Sequence, residues 1–168
     1  QLTTEQRLRY NQLTGLYSNE VIGYFEEAVA CPFAEAFLDI HKEGSGPLRA
    51  EVERFLAEER RHSKMFLSLN RALAPGLYPR EMRRLVRSRP MVAAAVRWMA
   101  RRPRVFPFLA WLILSQEERS LDIARRCLKK RNELDPSYVA AHREHLRDES
   151  RQVRLDVRFW ESIAAGVS

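Results

Sequence analysis

Two side chains that bind metals stand in the middle of an otherwise apolar helical pattern. The inward stripe of an amphipathic helix recurs at steps of three and four residues. Over residues 52–73 that stripe is apolar except for Glu59 and His62, which are three residues apart. This spacing places both side chains on one face of a helix, where they could hold a metal ion together.

Three more helical stripes contain acidic residues at similar heights. Glu26 interrupts the stripe formed by Ile22, Val29, Phe33 and Ile40, and Glu118 interrupts the stripe formed by Trp111, Leu114 and Leu121. The fourth stripe is mostly polar and contains Tyr138, His142, His145, Glu149, Gln152, Asp156 and Phe159. Each of four helices is therefore predicted to place one glutamate near the middle of its buried face.

These glutamates need a source of positive charge. A buried ionised carboxylate costs several kcal/mol unless it is paired or bound to a metal, and the arginines do not recur on these stripes. Oxygen ligands with one or two imidazoles per metal suit iron or manganese, and bridging glutamates suit a pair of ions. The pattern predicts two metal ions, and the alternative is a metal-free core of hydrogen-bonded polar side chains.

The elements that position these residues are predicted to be helices in a single domain over residues 1–168. Long helices are expected over residues 19–42, 47–73, 107–130 and 136–165, which describes an all-α four-helix bundle. Pro32 is expected to bend the first helix. Residues 43–47 are expected to form a turn with Gly44 at the helix end, and Asp135 to cap the last helix. A short arginine-rich helical stretch, divided near Arg89-Pro90, is predicted between helices two and three.

The net charge of +7 is concentrated in this arginine-rich stretch. Residues 80–104 contain nine arginines and a single acid, Glu81. Such a block can face solvent or contact an acidic partner, an anionic membrane surface or nucleic acid. No recognition-helix or zinc-finger pattern accompanies it, so nucleic acid is not expected as a partner.

Targeting and redox features point to the cytoplasm. Residues 1–12 are polar and lack the apolar core of a signal peptide, and the most apolar run, 105–114, is too short to span a membrane. Cys31 and Cys127 lack a CxxC spacing and are expected to be free buried thiols.

Two segments carry motifs that go beyond helical periodicity. The first contains Asn19-Glu20, Glu26-Glu27, Cys31-Pro32 and Glu59-x-x-His62-Ser63-x-Met65, and the second contains Glu118, Asp135-Pro136 and His145-Leu146-Arg147-Asp148-Glu149. Together these segments resemble the p-aminobenzoate N-oxygenase family of ferritin-like di-iron proteins. The resemblance covers most of residues 19–160, and the arginine-rich stretch carries none of it.

The resemblance implies a ligand set, a reaction and partners. The implied metal ligands are Glu26, Glu59, His62, Glu118, His145 and Glu149. Glu27 and Glu117 are direct neighbours of two of these, and the choice of Glu26 and Glu118 rests on helix face and family register. The implied cofactor is two iron ions, with manganese as an alternative. The implied partners are dioxygen, a small organic substrate such as an arylamine, and an electron donor such as a ferredoxin or a reductase. The oligomeric state is open, with a homodimer as one alternative.

One position departs from the family pattern. The family has a histidine three residues after the last glutamate, where this chain has Gln152. An amide carbonyl is a weaker ligand than imidazole, so one metal is expected to be held less firmly, unless His142, one turn before His145, compensates. The departure favours a second hypothesis, a non-catalytic metal-binding homologue.

Overall fold

The computed structural model describes residues 1–40 and 46–165, and within these ranges it contains helices and no strands. The helical elements are α1 (Thr4–Phe25), a π-helical segment (Glu26–Ala30), α2 (Cys31–Ile40), α3 (Pro47–Leu73), α4 (Pro90–Ala100), α5 (Phe108–Lys129) and α6 (Pro136–Ala165). The prediction of an all-α protein with a short helix between the second and third long helices is confirmed.

The first long helix begins much earlier than predicted, at Thr4 instead of near residue 19. The cause is a capping box: the Thr3 hydroxyl accepts from the Gln6 backbone N–H, and the Gln6 side chain accepts from the Thr3 N–H. The first half of α1 is mostly exposed, so the cap rather than core packing determines where the helix begins.

Pro32 is accommodated by the π-helical segment directly before it. In a regular α-helix its ring would clash with the carbonyl of the residue four positions earlier. Here the Cys31 N–H instead donates five residues back to the Glu26 carbonyl, which widens the turn. The irregularity expected at Pro32 therefore lies one turn earlier, at Glu26.

The four long helices pack in a ring around a shared interior. The α1 helix contacts α3, α3 contacts α6, α6 contacts α5, and α5 returns to the π-helical segment. One apolar cluster includes Phe33, Phe55 and Phe159, and a second includes Ile22 and Phe66. The predicted polar positions Glu26, Glu59, His62, His145 and Glu149 lie between these two clusters along the chain.

The segment between α3 and α4 is not helical over residues 79–89, although a helical piece was predicted there. Its backbone amides have another acceptor: the N–H groups of Arg84, Leu85 and Val86 all donate to the buried Glu20 carboxylate. Tyr78 donates to the same carboxylate at 2.6 Å. Glu20 therefore holds this segment against α1.

Other local predictions are confirmed. Asp135 caps α6 by accepting from the Ser137 and Tyr138 amides. Cys31 and Cys127 are free and buried. None of the described helices is long and apolar enough to cross a membrane. The predicted turn with Gly44 and the predicted helix end at residue 42 lie outside the described residues.

Candidate metal centre

Two groups of buried side chains meet in the interior at the level between the apolar clusters. The first group consists of Glu26, His62, His145 and Glu149, whose ligand atoms all lie within 4.8 Å of one another. The π-helical segment supplies Glu26, α3 supplies His62, and α6 supplies the other two. The first group therefore offers two imidazoles and two carboxylates.

The second group consists of Glu59, Glu117 and Glu149, again with ligand atoms within 4.8 Å of one another. Glu59 comes from α3 and Glu117 from α5. Glu149 belongs to both groups, so the two possible ion positions share one carboxylate. Each of the long helices α3, α5 and α6, and the π-helical segment that continues α1, contributes at least one side chain.

Close packing of α1 on α3 brings Glu26 to His62. A Cβ atom placed on Gly23 would meet the Cα of Ser63 at 3.2 Å, and the Ser63 hydroxyl donates to the Gly23 carbonyl at 3.2 Å. Glycine at this position therefore allows the two backbones to approach next to the site.

His62 is oriented by a carboxylate behind it. Its Nε2 lies 3.1 Å from Asp148 Oδ2, and Asp148 also pairs with Arg61 and Arg151. A proton on Nε2 leaves the Nδ1 lone pair free. That nitrogen lies 3.5 Å from Glu149 and 3.6 Å from Glu59. A carboxylate behind a ligating histidine is the usual device for fixing its tautomer.

His145 faces two carboxylates of the first group through its Nε2, which lies 3.2 Å from Glu26 and 3.0 Å from Glu149. Its ring packs edge-on against His62, with centroids 4.5 Å apart, and against Phe66 at 4.9 Å. These contacts hold the two imidazoles on one side of the shared Glu149.

Burial shifts the pKa of several side chains in the cluster. It raises the pKa of Glu26 to about 8, against the lowering effect of His62. Burial, and then the negative charge of Glu26 and of Asp156, raises the pKa of Glu59 well above its ordinary value. Burial, followed by the charge on His62, lowers the pKa of His145 well below its ordinary value. Without a cation the folded protein therefore disfavours charge at each of these groups.

The donor set fits bound cations. Several buried atoms in the cluster have no hydrogen-bond partner, and among them are Glu26 Oε2, both oxygens of Glu59, His62 Nδ1 and Glu149 Oε1. Unpaired buried polar atoms are costly and rare in native proteins. A metal ion would satisfy a group of such atoms that come from several helices and lie within 4.8 Å of one another.

Glu118 does not join the cluster. It is exposed, whereas Glu117 is 4% exposed and lies in the second group. The predicted stripe on α5 was wrong because it was anchored on Trp111, which is 61% exposed. The buried face instead runs through Ala110, Ile113, Glu117, Ser120, Leu121 and Ala124.

The two additional candidates, Gln152 and His142, are members of neither group. The amide nitrogen of Gln152 donates to Glu58 at 2.9 Å, and its buried carbonyl oxygen has no partner. His142 lies 3.1 Å from Asn19 Oδ1 through Nε2, in a polar network that continues to Asn70. Its Nδ1 has no hydrogen-bond partner, but His142 is in neither ligand group.

Sequence reasoning assigned no role to Asp148 or Asp156. Asp148 lies within the motif noted above, and its position directly before Glu149 was the available signal. Asp156 follows Gln152 by one turn on the same stripe and is fully buried, with no partner for either oxygen.

Comparison of the chain with protein-family models, curated proteins and solved structures gives no match. Function is therefore inferred from the side chains of the centre.

Proposed function

We propose that this protein is a di-iron oxygenase with a ferritin-like four-helix bundle, which uses dioxygen to oxidise a small organic substrate. The proposal rests on the observation that the Glu149 carboxylate is fully buried and belongs to both ligand groups. Carboxylates that join two ion positions, with ligands from four helices, are typical of di-iron carboxylate proteins. The resemblance to the p-aminobenzoate N-oxygenase family favours N-oxygenation of an arylamine as the reaction.

Bound ferrous ions would supply the electrons that reduce dioxygen, while the protein holds the ligands and excludes water. Glu59, His62, His145 and Glu149 are all essentially inaccessible to solvent. Apolar clusters lie on both sides of them. Asp148 fixes the tautomer of His62, so that a lone pair and not a proton faces the centre.

A cleft between α3 and α6 supports access by a small substrate. It has a volume of about 360 Å³, and its wall includes Phe55, Glu58, Gln152 and Leu155. Phe55 and Leu155 belong to the apolar cluster beside the centre. Gln152 lies in the cleft wall and one turn from Glu149, so we propose that substrates approach past this side chain.

The arginine-rich surface around α4 supports docking of an acidic electron donor such as a ferredoxin. Of the nine arginines in residues 80–104, seven are exposed: Arg80, Arg87, Arg89, Arg97, Arg101, Arg102 and Arg104. Helix α4 also packs directly on the π-helical segment that carries Glu26. Electron transfer from an acidic donor should therefore slow steeply as ionic strength rises, because salt screens the attraction.

The test is anaerobic loading of metal-free protein with ferrous iron, followed by mixing with dioxygen. We expect about two irons per chain, then dioxygen consumption with a transient visible absorption. Glu26→Ala should bind less iron and react poorly. Glu27→Ala is the matched control, since Glu27 is an exposed neighbour paired with Arg83.

The outcomes separate the alternatives. Iron binding without any reaction with dioxygen would support the non-catalytic metal-binding homologue, which Gln152 favours. Failure to bind iron at all would overturn both functions and leave a metal-free polar core.

A further inference from the structure

Helix α4 presents an apolar stripe to solvent. Met91 and Trp98, two turns apart on one face of the helix, are both exposed, and so is Ala94 between them. A helix that is apolar on its outer face as well as its packed face is normally covered on both. Nothing in residues 1–40 and 46–165 covers the outer face of α4, which leaves it available to a partner.

The stripe continues beyond α4 through contacts between aromatic rings. Trp98 packs against Phe106 with ring centroids 5.4 Å apart, and Phe106 packs against Phe108 at 6.4 Å. Trp111 follows Phe108 by one turn on α5 and is exposed. Exposed apolar surfaces of this kind mark interaction sites. We call the set of exposed apolar side chains the α4–α5 surface: Met91, Trp98, Val105, Phe108 and Trp111.

Arginines surround the α4–α5 surface, and no nearby acid in the sequence balances them. No aspartate or glutamate occurs between Glu81 and Glu117. The Arg102 guanidinium lies over the Trp98 ring, 4.1 Å from its centroid. Five further exposed arginines form no ion pair with any residue that the structure describes: Arg87, Arg89, Arg97, Arg101 and Arg104.

This combination of side chains matches the chemistry of an anionic lipid bilayer. Tryptophan rings favour the interface between lipid and water, and arginine stems cover apolar surface while their charged ends reach the phosphates. Helices with aromatic and basic residues of this kind lie in the membrane interface. A bilayer also presents one sign of charge uniformly, as this surface does.

Other partners match the surface less well. Protein partners usually fix their register with charges of both signs, which the α4–α5 surface lacks. A second copy of this chain would place arginines against arginines. Nucleic acid or a purely acidic partner would account for the arginines but not for the exposed Met91, Trp98 and Trp111.

We propose that the α4–α5 surface binds the face of anionic membranes without crossing them. This inference goes beyond the proposed function and does not depend on metal binding. The acidic electron donor considered above would contact the same arginines, so the donor and the bilayer would compete for them.

The experiment is sedimentation of the purified full-length protein with lipid vesicles. One set of vesicles contains phosphatidylcholine alone, and the other contains equal parts of phosphatidylcholine and phosphatidylglycerol. We expect binding to the anionic vesicles to be roughly tenfold tighter or more, and to weaken as salt is added. Tryptophan fluorescence should shift to the blue on binding, because two of the three tryptophans lie in the surface.

A pair of double variants tests the role of the arginines. Arg97→Glu combined with Arg101→Glu should weaken binding to anionic vesicles by roughly tenfold or more. Arg143→Glu combined with Arg147→Glu is the matched control, because it makes the same change in net charge at the same spacing on exposed positions of α6. The control should bind the vesicles nearly as well as the wild type.

A second pair of variants tests the apolar contribution. Trp98→Ala should weaken vesicle binding by about fivefold, because the ring no longer enters the interface. Tyr17→Ala is the control, since Tyr17 is an aromatic residue of α1 with similar exposure outside the surface. Circular dichroism checks that each variant keeps its helical content.

Each result decides the proposal. Equal binding to neutral and anionic vesicles, or equal losses in the test and control variants, would overturn it. Failure to bind vesicles would also overturn it and would leave the arginines to a soluble acidic donor. Iron content and the reaction with dioxygen are measured without vesicles, so a failure of membrane binding leaves the di-iron oxygenase standing.

Discussion

At the scale of a single residue, Asp148 contacts and orients His62, one of the side chains of the candidate centre. Burial acts to raise its pKa, but hydrogen bonds from His62 and Arg151 hold the pKa below the ordinary value. The carboxylate therefore stays ionised and keeps the proton of His62 on Nε2. Any effect of Asp148 on a bound metal would pass through the orientation of that imidazole.

Asp148→Ala is expected to weaken metal binding by about 10–100-fold, because the His62 ring loses its fixed tautomer and orientation. Isothermal titration with Fe²⁺ under anaerobic conditions measures the change. Glu144→Ala is the control, since Glu144 pairs with the same Arg61 at 3.1 Å but is exposed and away from the centre. Equal affinities for the two variants would contradict the role assigned to Asp148.

Glu117→Ala is expected to lose about one metal ion per chain, because it removes one of three carboxylates of the second group. Glu118→Ala, one residue further along α5, should keep the full metal content, because Glu118 is exposed. Metal analysis after anaerobic loading compares the pair. The reverse result would restore the original choice of Glu118.

The choice of Glu118 instead of its neighbour Glu117 shows what helical periodicity can and cannot resolve. Residues 113, 117, 121 and 124 and residues 111, 114, 118 and 121 both satisfy the steps of a helical stripe. The second was chosen on the helix face through Trp111 and on the family register, yet Trp111 is mostly exposed. On α3 no such competitor existed, and Phe55, Glu59, His62 and Phe66 are all buried as predicted.

At the scale of elements, the packing of α1 against α3 determines how closely Glu26 and His62 approach each other. The chain was predicted to contain helices there, and α3 begins at Pro47 and ends at Leu73 as predicted. The π-helical segment was not predicted, because its hydrogen-bonding pattern depends on how Pro32 is packed and not on local preference alone.

Gly23→Ala is expected to destabilise the metal-free protein by about 1–3 kcal/mol, as overpacking does, although alanine by itself favours a helix. The added Cβ meets backbone atoms of Ser63, which cannot rotate away. Gly15→Ala is the control, because its Cβ would meet only the end of the Tyr138 side chain. Chemical denaturation measures both, and equal stability would contradict the close approach.

At the scale of the whole molecule, sequence patterning was enough for the number and order of the long helices, because caps and breakers such as Asp135, Pro136 and Pro47 mark their ends. It failed over residues 79–89. The contact of those amides with Glu20 joins parts of the chain that are more than 60 positions apart, which no local pattern contains.

The metal-free protein is expected to lose stability as pH rises from about 6.5 to 8. Burial raises the pKa of Glu26 to about 8 and of Asp156 to about 7. The folded state therefore holds protons in this window that the unfolded chain has already released. The opposing effect of His142, whose pKa is lowered to about 4 by burial, acts only below its ordinary value of 6.5.

Thermal unfolding of metal-free protein at several pH values measures this loss. Glu26→Gln should reduce the dependence, because it removes one of the groups that titrates. A melting temperature that stays constant or rises across the same window would show that these carboxyls are already ionised in the folded state.

Cys31, which directly follows the π-helical segment, has a consequence for the durability of the protein in air. Burial raises the pKa of this thiol to about 12, and the negative charge of Glu59 adds to the rise. Oxidants attack the thiolate and not the thiol, so Cys31 should stay unreactive at neutral pH even beside the proposed oxygenase centre. Oxidative ageing then falls on accessible sulfur atoms elsewhere, and Met91, with 85% of its surface exposed, is the first side chain at risk.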